Sequence, residues 1–347
     1  MRKAFSLYRQ YLPSLLILLS IGIAALSLQG CQPRDHITET NESTPTLTLE
    51  STPIPSETNA GTGDTLPTTT NENNTQLKWG DFPPPSIEPA TPIPPPKAML
   101  DLPEEVLVWV LLGADTEPPF IGRTQAIHLI FIHPRFSKAS ILSIPGDLYV
   151  YIPGYTMQRI NTAYSLGGIE TLRLTLAYNF GVNPSRFVLA HPGDFQWLVD
   201  DIDGIEVTVL NPNPQVCGGL RAGPVIMDGA LAICYASYRQ GMDEIDRMRR
   251  QQQLMGLIFQ KFARDGNLIK LPTLYASYQG WVITDLSLVE LMENIPLALR
   301  LADPDRIGYF MLGWDQIRLW EVPGYTQAQV FLPVNEAVDA VFQKAID

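Results

Sequence analysis

The sequence predicts an α/β fold in which helices cover both faces of a mixed β-sheet around an apolar pocket. Two observations support this fold class. From Leu102 onward, short apolar strand patterns alternate with helical patterns over about 245 residues. In addition, 45% of the 347 residues are hydrophobic and only 17% are charged, as expected of a well-packed domain with an apolar cavity. A chain of this length can bury a substantial core.

Short apolar runs between turn residues predict the strands. EEVLVWVLLG is the first, followed by AIHLIFIHP and KASILSIP, which the reversal PRFSK joins as a hairpin. DLYVYIP resumes strand-like alternation after the tight turn Pro145-Gly146-Asp147. RFVLAHP, IEVTVL and IGYFMLG complete the set of predicted strands.

Runs with a helical apolar period predict the helices between them. GGIETLRLTLAYNFG ends at a glycine, GDFQWLVDDIDG follows it, and LSLVELMENIPLALRLA lies in the last third of the chain. The longest predicted helix is MDEIDRMRRQQQLMGLIFQKFARDG. Five of its apolar side chains fall on one face: Ile245, Met248, Met255, Phe259 and Phe262.

Residues 1–31 have the features of an export signal. Arg2, Lys3 and Arg9 precede the apolar stretch LLILLSIGIAALSL, which is shorter than the roughly 20 residues of a bilayer-spanning helix. The stretch ends in LQGC, which resembles a bacterial lipobox with Cys31 as the lipidated residue. An uncleaved single-pass signal anchor is the alternative. Either reading predicts a membrane-anchored, extracytoplasmic protein.

Residues 32–100 are predicted to form a disordered tether that ends in a polyproline spacer. This segment is rich in Thr, Ser, Asn and Pro, and it has too few apolar residues to offset the entropy of ordering it. The composition changes abruptly after it. Residues 101–347 are therefore predicted to be the folded domain.

Charge and cysteine content narrow the possible functions. A net charge of −12 argues against nucleic-acid binding, which depends on neutralising phosphates with Lys and Arg. The absence of a CxxC motif and the presence of only four histidines argue against a zinc site. Outside the cytoplasm, Cys217 and Cys234 can form a disulfide that contributes about 3 kcal/mol, and two unpaired core cysteines are the alternative.

Three groups of polar residues are candidates for a functional site. Asp115 and Arg123 follow the first buried strand, where α/β sheets usually bind ligands. Asp147 follows the Pro-Gly turn. The third group borders the apolar face of the long helix and suits a ligand with an anionic head and an apolar tail: Arg247, Arg250 and Gln251. Ordinary alternatives are solvated surface charges and, for Asp147, a turn cap.

Taken in order, six motifs resemble those of the LytR–CpsA–Psr family. They are VLLGAD, GR, LIFIHP…ASILSIPGDLYVYIPGY, RINTAYSLGG, DFQWLVDDIDGIEVTV and RMRRQQQ, and the resemblance extends from about Pro103 to Asp347. It implies a membrane-tethered phosphotransferase that moves a glycopolymer from a polyprenyl-pyrophosphate carrier to peptidoglycan. It also implies a hydrophobic lipid tunnel, arginines that hold the pyrophosphate, and an acidic pair that holds Mg²⁺.

The resemblance assigns roles to individual residues. It gives catalytic roles to Arg123, Arg239, Arg247 and Gln251, ligand-binding roles to Arg250 and Asp147, and metal-binding roles to Asp115 and Gln125. Three positions depart from the family pattern. RSDT reads RTQA, which places Gln125 where the second metal carboxylate is expected. SIPRD reads SIPGD and RxR reads SYR, which place Gly146 and Ser237 where arginines are expected.

These departures leave more than one function open. Gln125 keeps an oxygen ligand but lacks the negative charge, so the affinity for Mg²⁺ is expected to fall. Each lost phosphate contact typically lowers the rate by about 10²-fold. The first interpretation is a transferase with an altered phosphate site. The second is an envelope lipoprotein that binds a polyprenyl phosphate without turnover, and the third is a structural envelope protein with an empty pocket.

Overall fold

A computed structural model of the chain describes residues 80–119, 122–239, 244–264, 266–324 and 328–347. The predicted export signal, with Cys31, and the tether up to residue 79 lie outside the described residues. Within the described part, no helix is both long enough and apolar enough to cross a membrane.

The described residues form strands and helices that alternate along the chain, as the sequence predicts. The strands are β1 (Leu107–Ala114), β2 (Thr124–His133), β3 (Lys138–Pro145), β4 (Tyr149–Ile152), β5 (Thr156–Arg159), β6 (Arg186–Ala190), β7 (Ile205–Val209), β8 (Gly223–Met227), β9 (Ile283–Thr284), β10 (Ile307–Met311), β11 (Ile317–Glu321) and β12 (Gln329–Pro333). The α-helices are α1 (Ala163–Phe180), α2 (Pro192–Asp201), α3 (Gly229–Ser237), α4 (Glu244–Arg264), α5 (Leu271–Tyr278), α6 (Leu288–Glu293), α7 (Ile295–Leu301) and α8 (Asn335–Ile346).

A six-stranded mixed sheet with the strand order β10-β3-β2-β1-β6-β9 forms the centre of the fold. Its middle is an antiparallel meander of β1, β2 and β3, and the predicted hairpin is confirmed by the pairing of His133 with Lys138. β6 runs parallel to β1, and β10 runs parallel to β3. The carboxyl ends of β1, β3 and β6 therefore meet at one edge of the sheet, where α/β proteins commonly bind ligands.

The two faces of the sheet are covered to different extents. On one face, Val108, Val110 and Leu112 are buried in a core to which α1 and α8 contribute. On the other face, Leu107, Trp109 and Leu111 alternate with them and are only half-buried. That second face packs against α7 and against Phe259 of α4. The predicted sheet with helices on both faces is confirmed, and its second face leaves apolar surface incompletely covered.

Several elements differ from the predicted ones. The segment predicted as one helix around LSLVELMENIPLALRLA forms α6 and α7, separated at Asn294, two residues before Pro296. α1 has non-helical backbone angles at Gly167 and Gly168, so its regular part begins after them. IEVTVL is a strand, but as β7 it pairs only with β8, in a separate two-stranded sheet.

Part of the predicted tether lies against the folded domain. The hydroxyl of Tyr151 donates to the carbonyl of Pro83 at 2.7 Å, and that of Tyr178 donates to the carbonyl of Pro94 at 2.6 Å. The Nζ atom of Lys97 lies 2.6 Å from Asp339 on α8. Contacts with the domain therefore begin before the predicted boundary at residue 101. We refer to residues 80–100 as the N-terminal strap.

Cys217 and Cys234 are joined by a disulfide that closes a separation of 17 residues. The bridge links the loop after β7 to α3. Its surroundings form a second small core between β7, β8, α3 and α4, in which Val207, Ala232 and Leu254 are buried. The disulfide thus ties down the helix that precedes Arg239.

Candidate functional site: an arginine cluster at the end of the sheet

A cluster of charged side chains lies at the edge where β3 ends and β2 begins. Gln125 is the second residue of β2, and Asp147 lies in the turn after β3. Arg239 follows α3, and Arg247 belongs to the first turns of α4. Four separate segments thus place polar side chains at the carboxyl end of the sheet. We call Gln125, Asp147, Arg239, Glu244 and Arg247 the arginine cluster.

Arg239 forms the open side of the arginine cluster. Its Nη2 donates to Oε1 of Gln125 at 2.8 Å and lies 3.2 Å from Oε2 of Glu244. Its Nη1 lies 3.5 Å from Oδ2 of Asp147. The Arg239 side chain is 36% exposed, so part of this cation faces solvent.

Arg247 forms the buried side of the arginine cluster, with a side chain that is only 4% exposed. It donates to the Glu244 carboxylate and, through Nη2, to the carbonyl oxygen of Gln125 at 2.9 Å. Burial lowers the pKa of Arg247 below its ordinary value, and the nearby Glu244 carboxylate opposes that shift. Its Nε is buried and has no hydrogen-bond partner among the described residues. One donor of a buried cation therefore remains available to an anionic ligand.

Glu244 is a site residue that the sequence analysis missed. Its side chain is 3% exposed, and its carboxylate contacts both Arg239 and Arg247. A buried carboxylate is stable only when it is paired, and the two arginines provide that pairing. The available signal was its spacing of three residues from Arg247 at the start of the long helix, which brings the two side chains to one face.

Asp147 contacts two arginines and an asparagine. Its Oδ1 accepts from Nδ2 of Asn161 at 3.3 Å and lies 3.3 Å from Nε of Arg159. Its Oδ2 lies near Arg239. These contacts position the neighbouring arginines, and the ligand-binding role of Asp147 stays a prediction. The sequence analysis quoted RINTAY but assigned no role to the residues that hold Asp147.

Gly146 lies directly beside the arginine cluster. A Cβ atom built there would lie 3.3 Å from Cβ of Asn161 and 3.3 Å from Oε1 of Gln125. A side chain at this position would therefore project among the groups that hold Arg239. At the other position where an arginine is expected, the Ser237 hydroxyl donates to the carbonyl of Ile233 within α3.

Asp115 and Arg123 lie in the loop between β1 and β2. Oδ1 of Asp115 accepts from the backbone N–H of Arg123 at 2.7 Å, and both residues are exposed. Among the described residues, no hydrogen bond or ion pair joins either side chain to the arginine cluster. The structure thus places them at the predicted edge of the sheet but leaves them as a separate pair.

Comparison with known proteins agrees with this architecture. The LytR_cpsA_psr family matches residues 95–321, which is more than half of the chain. The chain belongs to this family. "Regulatory protein MsrR" of Staphylococcus aureus (strain COL) is 30% identical over 181 residues, which cover 51% of this chain and 55% of that protein.

Two further matches carry informative names. "Polyisoprenyl-teichoic acid--peptidoglycan teichoic acid transferase TagU" of Oceanobacillus iheyensis is 29% identical over 192 residues, covering 52% of this chain and 59% of that protein. The structure of "YwtF (TagT) with bound octaprenyl pyrophosphate lipid" has a TM-score of 0.55 and 20% identity, covering 70% of this chain and 89% of that one. This chain spans only about half the length of the curated relatives it matches.

The side chains predicted to bind Mg²⁺ do not fit a resident metal ion. The only metal-binding atom that the Gln125 side chain offers is Oε1, and that oxygen already accepts a hydrogen bond from the Arg239 guanidinium. Asp115 is engaged with its own loop. The described residues contain no group of three or more His, Cys, Asp or Glu side chains able to hold a metal ion. Mg²⁺ prefers several oxygen ligands in octahedral geometry, which this pair does not supply.

Arg250 is buried among structural contacts, and its predicted ligand-binding role stays a prediction. Its side chain is 1% exposed and stacks on the ring of Tyr238 at 3.6 Å from the centroid. It donates to the carbonyl oxygen of Tyr235 and, at 2.7 Å, to that of Tyr238. The segment that carries Arg239 is therefore fastened to α4 by Arg250. Gln251, its neighbour, similarly donates to the carbonyl of Ala236 at 3.3 Å.

A buried polar network supports α4 on the sheet next to the arginine cluster. Nδ1 of His128 lies 2.7 Å from Oγ of Ser143, and Nε2 of Gln252 donates to the same oxygen at 2.7 Å. Burial, with a smaller contribution from Arg247, lowers the pKa of His128 to about 4. The histidine is therefore neutral at physiological pH. The sequence analysis did not identify this network because its three residues lie within apolar patterns of β2, β3 and α4.

Proposed function

We propose that this protein binds the phosphate end of a polyprenyl-linked glycopolymer and transfers the glycopolymer to peptidoglycan, through a phosphate site that contains fewer arginines than the family pattern. The observation that carries this proposal is Arg247. A buried guanidinium with an unpartnered Nε, next to the partly exposed Arg239, has a donor positioned for a phosphate oxygen.

The local charge balance favours an anionic ligand. Arg159, Arg239 and Arg247 contribute three positive charges, and Asp147 and Glu244 contribute two negative charges. Together with the adjacent Arg159, the arginine cluster therefore has a net positive charge in a chain whose overall charge is −12. A pyrophosphate placed among these arginines would gain charge-assisted hydrogen bonds, which are stronger than neutral ones.

The half-buried face of the sheet suits the apolar tail of the same ligand. Leu107, Trp109 and Leu111 on β1 line this face, and Phe259 of α4 approaches it. α4 also carries Arg247, so one helix connects the phosphate site with the apolar face. A lipid there would remove this partly exposed apolar surface from water. The known binding of octaprenyl pyrophosphate by YwtF (TagT) supports the same interpretation.

In the proposed transfer, the acceptor hydroxyl attacks the phosphorus that carries the glycopolymer, the pyrophosphate P–O bond breaks, and polyprenyl monophosphate leaves while the hydroxyl proton passes to solvent. The negative charge on the phosphoryl oxygens must be neutralised during this step. In this proposal, Arg247 and Arg239 donate to the phosphoryl oxygens, and Glu244 and Asp147 keep the two guanidinium groups in place. The name of TagU, which specifies transfer of teichoic acid to peptidoglycan, supports the reaction class. The export signal and lipobox predicted at residues 1–31 agree with a membrane-anchored, extracytoplasmic site of action.

A second candidate function is binding of the polyprenyl phosphate without turnover. The observation that favours this second function is that the side-chain oxygen of Gln125 already accepts a hydrogen bond. Its amide oxygen, at the position of an expected metal carboxylate, is bound by Arg239, and the neighbouring Gly146 supplies no cation. A site altered in this way retains phosphate contacts but has fewer groups to stabilise a transition state.

The experiment that tests both candidates is a turnover assay on the full chain in detergent. A short-chain polyprenyl pyrophosphate is supplied with Mg²⁺, and release of inorganic phosphate is measured for the unaltered chain, Gly146→Arg, Arg247→Ala and Arg249→Ala. Arg249 is a matched control because it is 59% exposed on the same helix. If every protein except Arg247→Ala releases phosphate, the result supports the transferase function. Release only from Gly146→Arg supports binding without turnover. Release from Arg247→Ala at the same rate as from the unaltered chain contradicts the site.

A further inference from the structure

A cleft of about 330 Å³ opens between α2 and the turn that follows α5. It lies outside the arginine cluster, and no residue of that cluster lines it. Its lining combines aromatic rings with carboxylates and one hydroxyl: Trp197, Asp200, Asp201, Ser277, Tyr278 and Trp281. We call it the tryptophan cleft.

The two indole rings of the tryptophan cleft are exposed to an unusual degree. Trp197 is 48% exposed and Trp281 is 51% exposed, although tryptophan is a large apolar residue that is mostly buried on average. Their ring centroids lie 5.8 Å apart and their planes cross at 88°. Neither ring belongs to a hydrophobic core of the domain. Two exposed rings at right angles present flat apolar surfaces to a ligand.

The hydroxyl and carboxylate groups of the tryptophan cleft leave mainly acceptor oxygens to a ligand, beside the N–H groups of the two indole rings. The Tyr278 hydroxyl donates to Oδ2 of Asp201 at 2.9 Å, and the Ser277 hydroxyl donates to the carbonyl of Thr273 at 3.0 Å. Oδ1 of Asp200 accepts from the backbone N–H of Gly229 at 2.7 Å. The hydroxyl protons are therefore in use, while each exposed carboxylate retains an acceptor oxygen. A ligand that donates hydrogen bonds therefore matches the two carboxylates.

The cleft is linked through α2 to the β1–β2 loop at the edge of the sheet. The backbone N–H of Gly193, in the first turn of this helix, donates to Oε1 of Glu117 at 2.8 Å. Glu117 belongs to the β1–β2 loop, which also carries Asp115 and Arg123. Trp197 lies four residues further along the helix, or roughly 6 Å at the usual helical rise. The cleft therefore lies on the helix whose first turn contacts this loop.

We propose that the tryptophan cleft binds a hexopyranose ring of a glycan chain. A sugar ring has an apolar C–H face, which packs on indole, and hydroxyl groups at its rim, which donate to Asp200 and Asp201. The cleft volume of about 330 Å³ admits a whole sugar ring and is larger than a single ammonium group requires. This inference rests on the proposed function at one point only, which is the choice of a glycan rather than another polyol as the ligand.

The test is a binding titration on the full chain in detergent, without any polyprenyl substrate. The probe is a soluble hexamer of β-1,4-linked N-acetylglucosamine, followed by tryptophan fluorescence and by isothermal titration calorimetry. We expect saturable binding that weakens about tenfold or more in Trp197→Ala and in Trp281→Ala. Trp314→Ala is the matched control, because Trp314 is 54% exposed and does not line the cleft. That variant is expected to bind as the unaltered chain does.

Several outcomes would overturn the proposal. Absence of binding, or equal weakening in all three tryptophan variants, would contradict a sugar site in the cleft. Competition by tetramethylammonium, at concentrations where free glucose does not compete, would identify a cation cage instead. Arg247→Ala, which tests the phosphate site, is expected to leave hexamer binding unchanged. A failure of the proposed function and a failure of this inference are therefore distinguishable.

Discussion

Replacing Arg250 with alanine is expected to destabilise the fold rather than to remove a ligand contact directly. The guanidinium donates to the carbonyl oxygens of Tyr235, near the end of α3, and of Tyr238, the residue that follows this helix. It also stacks on the ring of Tyr238 at 3.6 Å. Two buried carbonyls at about 1 kcal/mol each, with about 1 kcal/mol for the stacked cation, give a loss of about 3 kcal/mol.

The assay for this prediction is urea unfolding followed by circular dichroism. Arg249→Ala is the control on the same helix, since Arg249 is 59% exposed and its one ion pair within the described part of the chain is with Asp246, across one turn. Its loss is expected to be at most about 0.5 kcal/mol, because exposed ion pairs of this kind contribute little. If Arg250→Ala is as stable as Arg249→Ala but loses affinity for phosphate, the structural role of Arg250 is refuted and its predicted ligand-binding role is supported.

Three further predictions concern stability. His128 has its pKa lowered to about 4, so as pH falls below about 6.5 the unfolded chain binds this proton before the folded chain does. Protonation of this residue is expected to lower the free energy of unfolding by roughly 3 kcal/mol between pH 6.5 and pH 4. If the urea midpoint of a His128→Gln variant falls over this pH range as steeply as that of the unaltered chain, the prediction is contradicted. Reducing the bridge between Cys217 and Cys234 is expected to cost about 3 kcal/mol, because a loop of 17 residues is released. Unfolding titrations with and without dithiothreitol measure that cost, and the doubly substituted Cys217→Ser, Cys234→Ser chain must then be insensitive to the reductant. A chain that begins at residue 101 loses the hydrogen bonds from Tyr151 and Tyr178 to the N-terminal strap. We expect it to be about 2 kcal/mol less stable than a chain that begins at residue 80. Equal thermal unfolding midpoints for the two chains would show that the N-terminal strap adds no stability.

The strands of the central sheet and the edge that carries the site were predictable from sequence. β1, β2 and β3 are apolar runs bounded by turn residues, and the short reversal between β2 and β3 permits only an antiparallel pair. Asp147 and Gln125 adjoin these strands directly. Local patterns were therefore sufficient to place both residues at the same end of the sheet.

The division of roles among the arginines was not predictable in the same way. Arg247 and Arg250 are three residues apart on α4 and look equivalent in the sequence. Their difference arises because α3 packs beside Arg250 and supplies carbonyl oxygens, whereas Arg247 faces Glu244 and β2. This depends on contacts between segments distant in sequence, which periodicity does not encode.

The N-terminal strap shows a second limit of prediction from sequence. Residues 80–100 have the proline-rich composition of a tether and no apolar period. Their carbonyl oxygens nevertheless accept hydrogen bonds from tyrosines of β4 and α1. Backbone acceptors are present in every residue, so composition alone gives no indication that a particular carbonyl meets a buried hydroxyl.

The measurement that tests the central claim most directly is the affinity of the full chain for farnesyl pyrophosphate, determined by calorimetry in detergent without a glycan acceptor. We expect saturable binding that weakens at least about tenfold in Arg247→Ala, because the buried guanidinium is the principal donor to the phosphate. We expect Arg249→Ala to bind with unchanged affinity, since that side chain is exposed and outside the cluster. Equal affinities for the two variants would contradict the claim that the arginine cluster is the phosphate site.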